Sequence, residues 1–136
     1  MRPIIKELIL GATAGNVVGS MTNDTKMDIE LMYGFVSLTT DATVANRLVS
    51  VGAVKADATL MFDAHAAVPL TASLTSVHLE FMQAVSRETA IVNNSVVVGI
   101  PERMIIPAGG TLRVNVTGGV ATDSYTARFT CKEAIA

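Results

Sequence analysis

The most constraining feature of the chain is a strict period of two near its C-terminal end. Between Thr111 and Thr117, Leu112, Val114 and Val116 fall on one side and Thr111, Arg113, Asn115 and Thr117 on the other. After a Gly118-Gly119 turn, Tyr125, Ala127, Phe129 and Cys131 oppose Ser124, Thr126, Arg128, Thr130 and Lys132. Side chains alternate across a strand, so this pattern predicts two strands, each with one buried and one wetter face. Met104-Ile105-Ile106 and the Pro107-Ala108-Gly109-Gly110 turn lead into them. The glycine pairs read as turns that need positive φ.

The same signals recur upstream. Pro3 to Leu10 predicts a first strand or extended arm with apolar residues on both faces, and Gly11 to Lys26 a long Gly/Ser/Thr/Asn-rich loop. Asp28 to Thr39 predicts a strand in which Ile29, Leu31, Tyr33 and Phe35 share one face and Val36 and Leu38 the other, with a bulge at Gly34 to shift the parity. Asn46 to Val54, Thr59 to Phe62, Thr71 to Met82 and Ala90 to Val98 follow as strands. Ala64 to Leu70 reads as a loop, Asn93-Asn94 as an internal break and Gly99-Ile100-Pro101 as another. A helix competes over Leu74 to Val85, whose apolar residues also fit a 3.6 spacing, but Thr71, Thr75, Ser76 and Val77 favour the strand. Eight to ten short strands separated by turn residues predict an all-β, antiparallel sandwich of the jelly-roll type, with about eight strands and an extended N-terminal arm. At 136 residues the chain suits one domain, divided into an arm and loop over 1–26 and a sandwich over 27–136.

Composition bears on partners. Only 16% of the residues are charged and 50% are hydrophobic, against roughly 25% charged in an ordinary soluble domain. The apolar excess lies in Ala, Val, Leu, Ile and Met, which points to surface covered by other subunits. The net charge of −2 and the scattered Lys and Arg residues give neither a nucleic-acid-binding stripe nor a polybasic membrane patch. The N-terminus has no signal-peptide pattern, and no window approaches the ~18 apolar residues of a spanning helix.

No constellation points to catalysis or a cofactor. His78 and Glu80 share a strand face and could hold one edge of a metal site, but a surface polar pair is the simpler reading without a third ligand nearby. Cys131 stands alone and falls with Phe129 on the inward face, as a small buried hydrophobe. No Gly-x-Ser-x-Gly elbow or phosphate loop occurs. The expectation is a protein that is not an enzyme, with no cofactor and no metal.

Three stretches resemble the small jelly-roll structural proteins of tailed-bacteriophage particles, the head decoration or cement proteins. They are Thr39 to Arg47, where a Thr/Ala run precedes Asn46-Arg47; Thr71-Ala72-Ser73 leading to Phe81; and Pro101, Pro107 to Leu112 and Asp123 before the last strand. Together they span about residues 28 to 134. The resemblance implies an eight-stranded sandwich, self-association as a homotrimer, and binding to the major capsid protein lattice on the capsid surface of a virion, after synthesis in the host cytoplasm. It implies no catalytic residues. The longer segment Met1 to Lys26 departs from that pattern and suggests an anchoring arm. Candidate interaction residues are therefore Ile4, Ile5, Leu8 and Leu10 on the arm, and Arg47, placed to tie a turn or a subunit edge. A rival from another class is a receptor- or glycan-binding module of a phage tail or fibre, which the absence of Trp weighs against. A small cupin-like barrel enzyme is a third, disfavoured by having only two histidines.

Overall fold

In a computed structural model, the described residues are 3–11, 15–75, 77–83, 85–101, 103–120 and 122–133, with side chains described from residue 19 onward. They form ten strands and no helix. These are β1 (Pro3–Gly11), β2 (Gly15–Thr22), β3 (Ile29–Thr39), β4 (Leu48–Val54), β5 (Leu60–His65), β6 (Val77–Gln83), β7 (Ser95–Ile100), β8 (Ile105–Ile106), β9 (Thr111–Gly119) and β10 (Ser124–Glu133).

The larger sheet runs β1-β10-β3-β6-β7, with the short β8 also on β3; the smaller runs β2-β9-β4-β5. Setting aside β7 and β8, which lie between β6 and β9 in sequence, each successive strand pair leaves one strand in each sheet or turns back within one. The resulting orders, first-eighth-third-sixth over second-seventh-fourth-fifth, are those of a jelly roll built from two Greek keys. The chain is thus an all-β jelly-roll sandwich. All pairs are antiparallel except β6–β7, which runs parallel because the connection between them crosses back along the sandwich.

The two alternating strands that dominate the sequence are inner strands, one in each sheet. β9 and β10 follow one another but lie in different sheets, each flanked on both sides. Their apolar faces meet across the sandwich: Leu112, Val114 and Val116 from one, Tyr125, Ala127, Phe129 and Cys131 from the other, none more than 1% exposed. Val36, Leu38, Val49, Val51, Leu79, Phe81, Val96 and Val98 complete one continuous core. Burying a side chain of this size stabilises the fold by about 1.5–3 kcal/mol.

Several local expectations are corrected. The stretch expected as a loop over Gly11 to Lys26 contains β2, which pairs with β9 from Gly15 opposite Gly119 to Thr22 opposite Thr111. Its small residues carry no clear hydrophobic stripe; main-chain pairing with β9 recruits it, and Met21 packs against the core. The boundary expected at residue 26 therefore matches no break in strand pairing, since β1 and β2 are two of the eight jelly-roll strands. The parity shift in β3 is present but sits at Met32: Cys131 pairs with Leu31 while Thr130 pairs with Tyr33. Tyr33 and Phe35 accordingly leave the face of Leu31 and lie half-exposed on the outside of the sheet. β6 begins at Val77, with a turn at Ala72 and Ser73 upstream of it; a strand is present there, not a helix. β5 continues to His65, and β7 includes Gly99 and Ile100. Asn93 and Asn94 take positive φ values of 52° and 58°, which makes the expected break a turn.

Candidate functional site

The largest polar feature lies under the loop that joins β3 to β4. Arg47 precedes β4 and its backbone bridges to Leu70 in both directions, at 3.0 and 2.8 Å. Its side chain points inward and is fully buried. Nε donates to Asp123 Oδ2 at 2.9 Å and Nη2 to Asp123 Oδ1 at 3.1 Å, a fork-to-fork pair. Nη2 also donates to Asp41 Oδ1 and to the Thr43 carbonyl, and Nη1 to the Ala45 carbonyl, each at 3.1 Å.

Asp123 is as fully engaged. Oδ1 accepts from the Asp41 N–H at 2.9 Å, and Oδ2 from the Val120 N–H at 3.0 Å and the Tyr125 hydroxyl at 3.1 Å. Burial pushes the Asp123 carboxyl up, but Arg47 and these three donors outweigh it and hold it below its ordinary value. Burial and the adjoining Asp123 carboxylate push the Tyr125 hydroxyl well above its ordinary value. Asp41 accepts from the Thr122 hydroxyl and from Thr43, and these hydrogen bonds lower its pKa. Thr40 joins the third loop, donating to the Thr71 carbonyl at 2.7 Å and accepting from the Leu74 N–H at 2.8 Å.

The arrangement fastens the 40–47, 70–74 and 120–124 loops to one buried cation. It carries no group free to react, so its product is shape. The loop it stiffens presents Val44, 93% exposed, with Leu48 just beyond it at 47%. Arg47 thus ties a turn within the chain, and its guanidinium has no exposed atom with which to reach a second subunit.

The other sequence candidates fall elsewhere. Ile4, Ile5, Leu8 and Leu10 lie on β1, opposite Cys131, Thr130, Ala127 and Tyr125 of β10; their side chains lie outside the described residues. β1 pairs over nine positions with β10, and no described strand pairs with its other edge. His78 and Glu80 are on the outer face of β6. The His78 ring lies 5.8 Å from that of Phe35, and Glu80 accepts a hydrogen bond from Tyr33. Burial and the Glu80 carboxylate together raise the Tyr33 pKa. Among the described residues no three His, Cys, Asp or Glu side chains are grouped to hold a metal ion. Cys131 is buried, opposite Leu31.

A second polar group, which the sequence reading did not single out, lies where the edges of the two sheets approach. His65 Nε2 is 2.8 Å from Asp63 Oδ2 on the edge strand β5. The pair borders an open cleft of about 450 Å³ shared with Arg87 and with Gly99 and Ile100 of β7. The only signal for it in the sequence is the His/Asp spacing of two, which puts both on one face of a strand.

No protein-family model matches the chain, and no curated protein matches it. Among solved structures, that of infectious bursal disease virus, Gx strain, is similar at 12% identity and a TM-score of 0.48, over 96% of this chain and 32% of that one. The VP2 subviral particle of the same virus is similar at 10% identity and 0.48, over 95% and 32%. The empty head of turnip yellow mosaic virus is similar at 12% identity and 0.38, over 99% and 83%. This chain spans about a third of the length of the first two. The jelly-roll assignment rests on strand order and not on these matches.

Proposed function

We propose that the chain is a non-enzymatic structural protein of a virus particle, a decoration or cement protein that self-associates as a homotrimer and binds the major capsid protein lattice of a tailed phage from the outside. The observation that carries this reading is β1: a nine-residue strand at the rim of a jelly-roll sheet, with its outer edge unpaired among the described residues. Long open edges are templates for pairing with another chain, and soluble proteins ordinarily shorten, charge or cover them. The low charge of the chain and the stiffened, apolar Val44 loop support the same reading. Affinity comes from strand-edge pairing and apolar burial repeated over many copies, so each contact can be weak.

Light scattering is expected to give three times the 14.2 kDa chain mass, and the protein is expected to co-sediment with emptied phage heads. An Ile5→Lys, Leu8→Lys double variant that keeps the wild-type circular dichroism spectrum is expected to lose both properties. A monodisperse wild-type monomer that ignores the heads would overturn the reading.

One observation favours a second reading, a glycan-binding module of a phage tail or fibre. The bulge at Met32 turns Tyr33 and Phe35 outward beside His78 and Glu80, so that rings and hydrogen-bonding groups share an accessible sheet face. Specific hits on a glycan array, abolished by Phe35→Ala, are the result this reading requires; an empty array removes it.

A further inference from the structure

The seam between the two sheets has unused main-chain groups on its β5 side. On β5, the Ala66 N–H donates to the Val49 carbonyl at 2.9 Å. In an antiparallel ladder that fixes Val51/Ala64 and Ala53/Phe62 as the next hydrogen-bonded pairs. The N–H and C=O groups of Asp63 and His65 therefore point away from β4, and no described strand lies beyond β5.

On β7 the outward-facing residues are identified by Val97. Its N–H donates to Glu88 Oε1 at 2.6 Å, and its carbonyl accepts from the Glu88 N–H at 2.9 Å. The connection between β6 and β7 thus covers that part of the edge. Gly99, two residues on, has the same orientation, and there the main chain of Val85 and Arg87 packs against it in place of Glu88. Ser95 is already closed by its bridge to Val92. The β7 edge is thus lined by its own connection, and the open main-chain groups beside the 450 Å³ cleft are those of β5. Its polar groups are unevenly partnered: Asp63 Oδ2 is held by His65 Nε2, whereas the exposed Arg87 guanidinium has no hydrogen bond or ion pair among the described residues.

We infer that this seam is a binding site for an extended acidic segment of another protein, which adds to the β5 edge as a fifth strand of the smaller sheet and sets a carboxylate against Arg87. Alternating main-chain donors and acceptors recognise a polypeptide in extended form. A free guanidinium beside them selects a carboxylate by a charge-assisted pair. Because β7 is the opposite rim of the larger sheet from β1, the site stands whether or not the chain decorates a capsid.

The test uses the full chain against an array of capped eight-residue peptides with a fixed central Glu, and a matched array with Gln. Binders are expected in the Glu array. The best of them, titrated into labelled protein, is expected to slow amide hydrogen exchange at Asp63 and His65. The Gln counterpart, and the Arg87→Gln protein, are expected to weaken binding by about tenfold, as loss of a hydrogen bond to a charged group does. Arrays without binders, binders that protect amides elsewhere, or equal affinity for Glu and Gln peptides would each overturn the assignment. Protection of these amides in the peptide-free protein that disappears on dilution would overturn it in favour of pairing between copies.

Discussion

Replacing Arg47 by alanine is expected to lower the unfolding free energy by about 3–5 kcal/mol, the cost of leaving one member of a buried ion pair without its partner. Urea denaturation of the purified variant measures it, as a lowered midpoint at unchanged slope. The Asp123 carboxylate would remain buried with its hydrogen bonds from Asp41, Val120 and Tyr125 but no cation. Buried ion pairs are often replaced by apolar residues at no loss, and here that exchange is expected to fail. An Arg47→Met, Asp123→Leu double variant would strip partners from the carbonyls of Thr43 and Ala45 and from the N–H groups of Asp41 and Val120. These bonds are part-buried, and a main-chain group left unpaired out of reach of water costs about 1–3 kcal/mol. The double variant should therefore be no more stable than Arg47→Ala; recovery to the wild-type midpoint would show that the network does not hold the loops.

The same network sets the acid limit. The Asp123 and Asp41 carboxyls are both held below their ordinary values in the folded chain. A carboxyl depressed by folding contributes stability that is complete above its unfolded pKa, about 4, and is lost as pH falls through the folded value. Stability is thus expected to be flat at neutral pH and to fall below about pH 4. In Arg47→Ala, Asp123 loses the main group that depresses it, so the acid-dependent loss should shrink and be complete at higher pH.

Much of the fold was legible because β9 and β10 alternate without a break and are inner strands of the two sheets, where one face is fully buried. Edge strands are legible only where side chains mark them. β2 escaped because Gly15, Gly19 and Ser20 fit a strand by backbone pairing with β9, without a hydrophobic stripe. The change of face in β3 was legible, but its position was not: Gly34 looked like the bulge, whereas Met32 is the extra residue. Arg47 and Asp123 each stood out beside a turn, yet nothing local pairs residues 76 apart in sequence. The jelly-roll strand order brings them together, and a single chain does not spell out that order. The seam at Asp63, His65 and Arg87 was invisible for a related reason, since it is defined by main-chain groups left unpaired at the meeting of two edges.

Gly34 has a different task, and it supports the second large effect. A Cβ at Gly34 would lie 2.2 Å from Phe129 Cδ1, 2.8 Å from Cε1 and 3.2 Å from the Arg128 carbonyl oxygen. Gly34 and Phe129 are register partners on β3 and β10, and the Phe129 ring, 1% exposed, lies across the glycine. Phe129→Ala is expected to cost about 3–5 kcal/mol, the lost burial plus the void beneath the sandwich. Gly34→Ala is expected to cost about 1–3 kcal/mol, because the ring must leave its rotamer in a packed core. The two costs share one volume. With the ring removed, the new methyl meets no aromatic atom and fills part of the void, so the double variant is expected to be less destabilised than the sum of the single variants. A coupling of about 1 kcal/mol or more, measured by urea denaturation in a double-mutant cycle, is the expected result for residues in direct contact. Additivity within about 0.3 kcal/mol would mean that ring and glycine do not meet. It would also remove the packing reason for a glycine at the middle of the larger sheet.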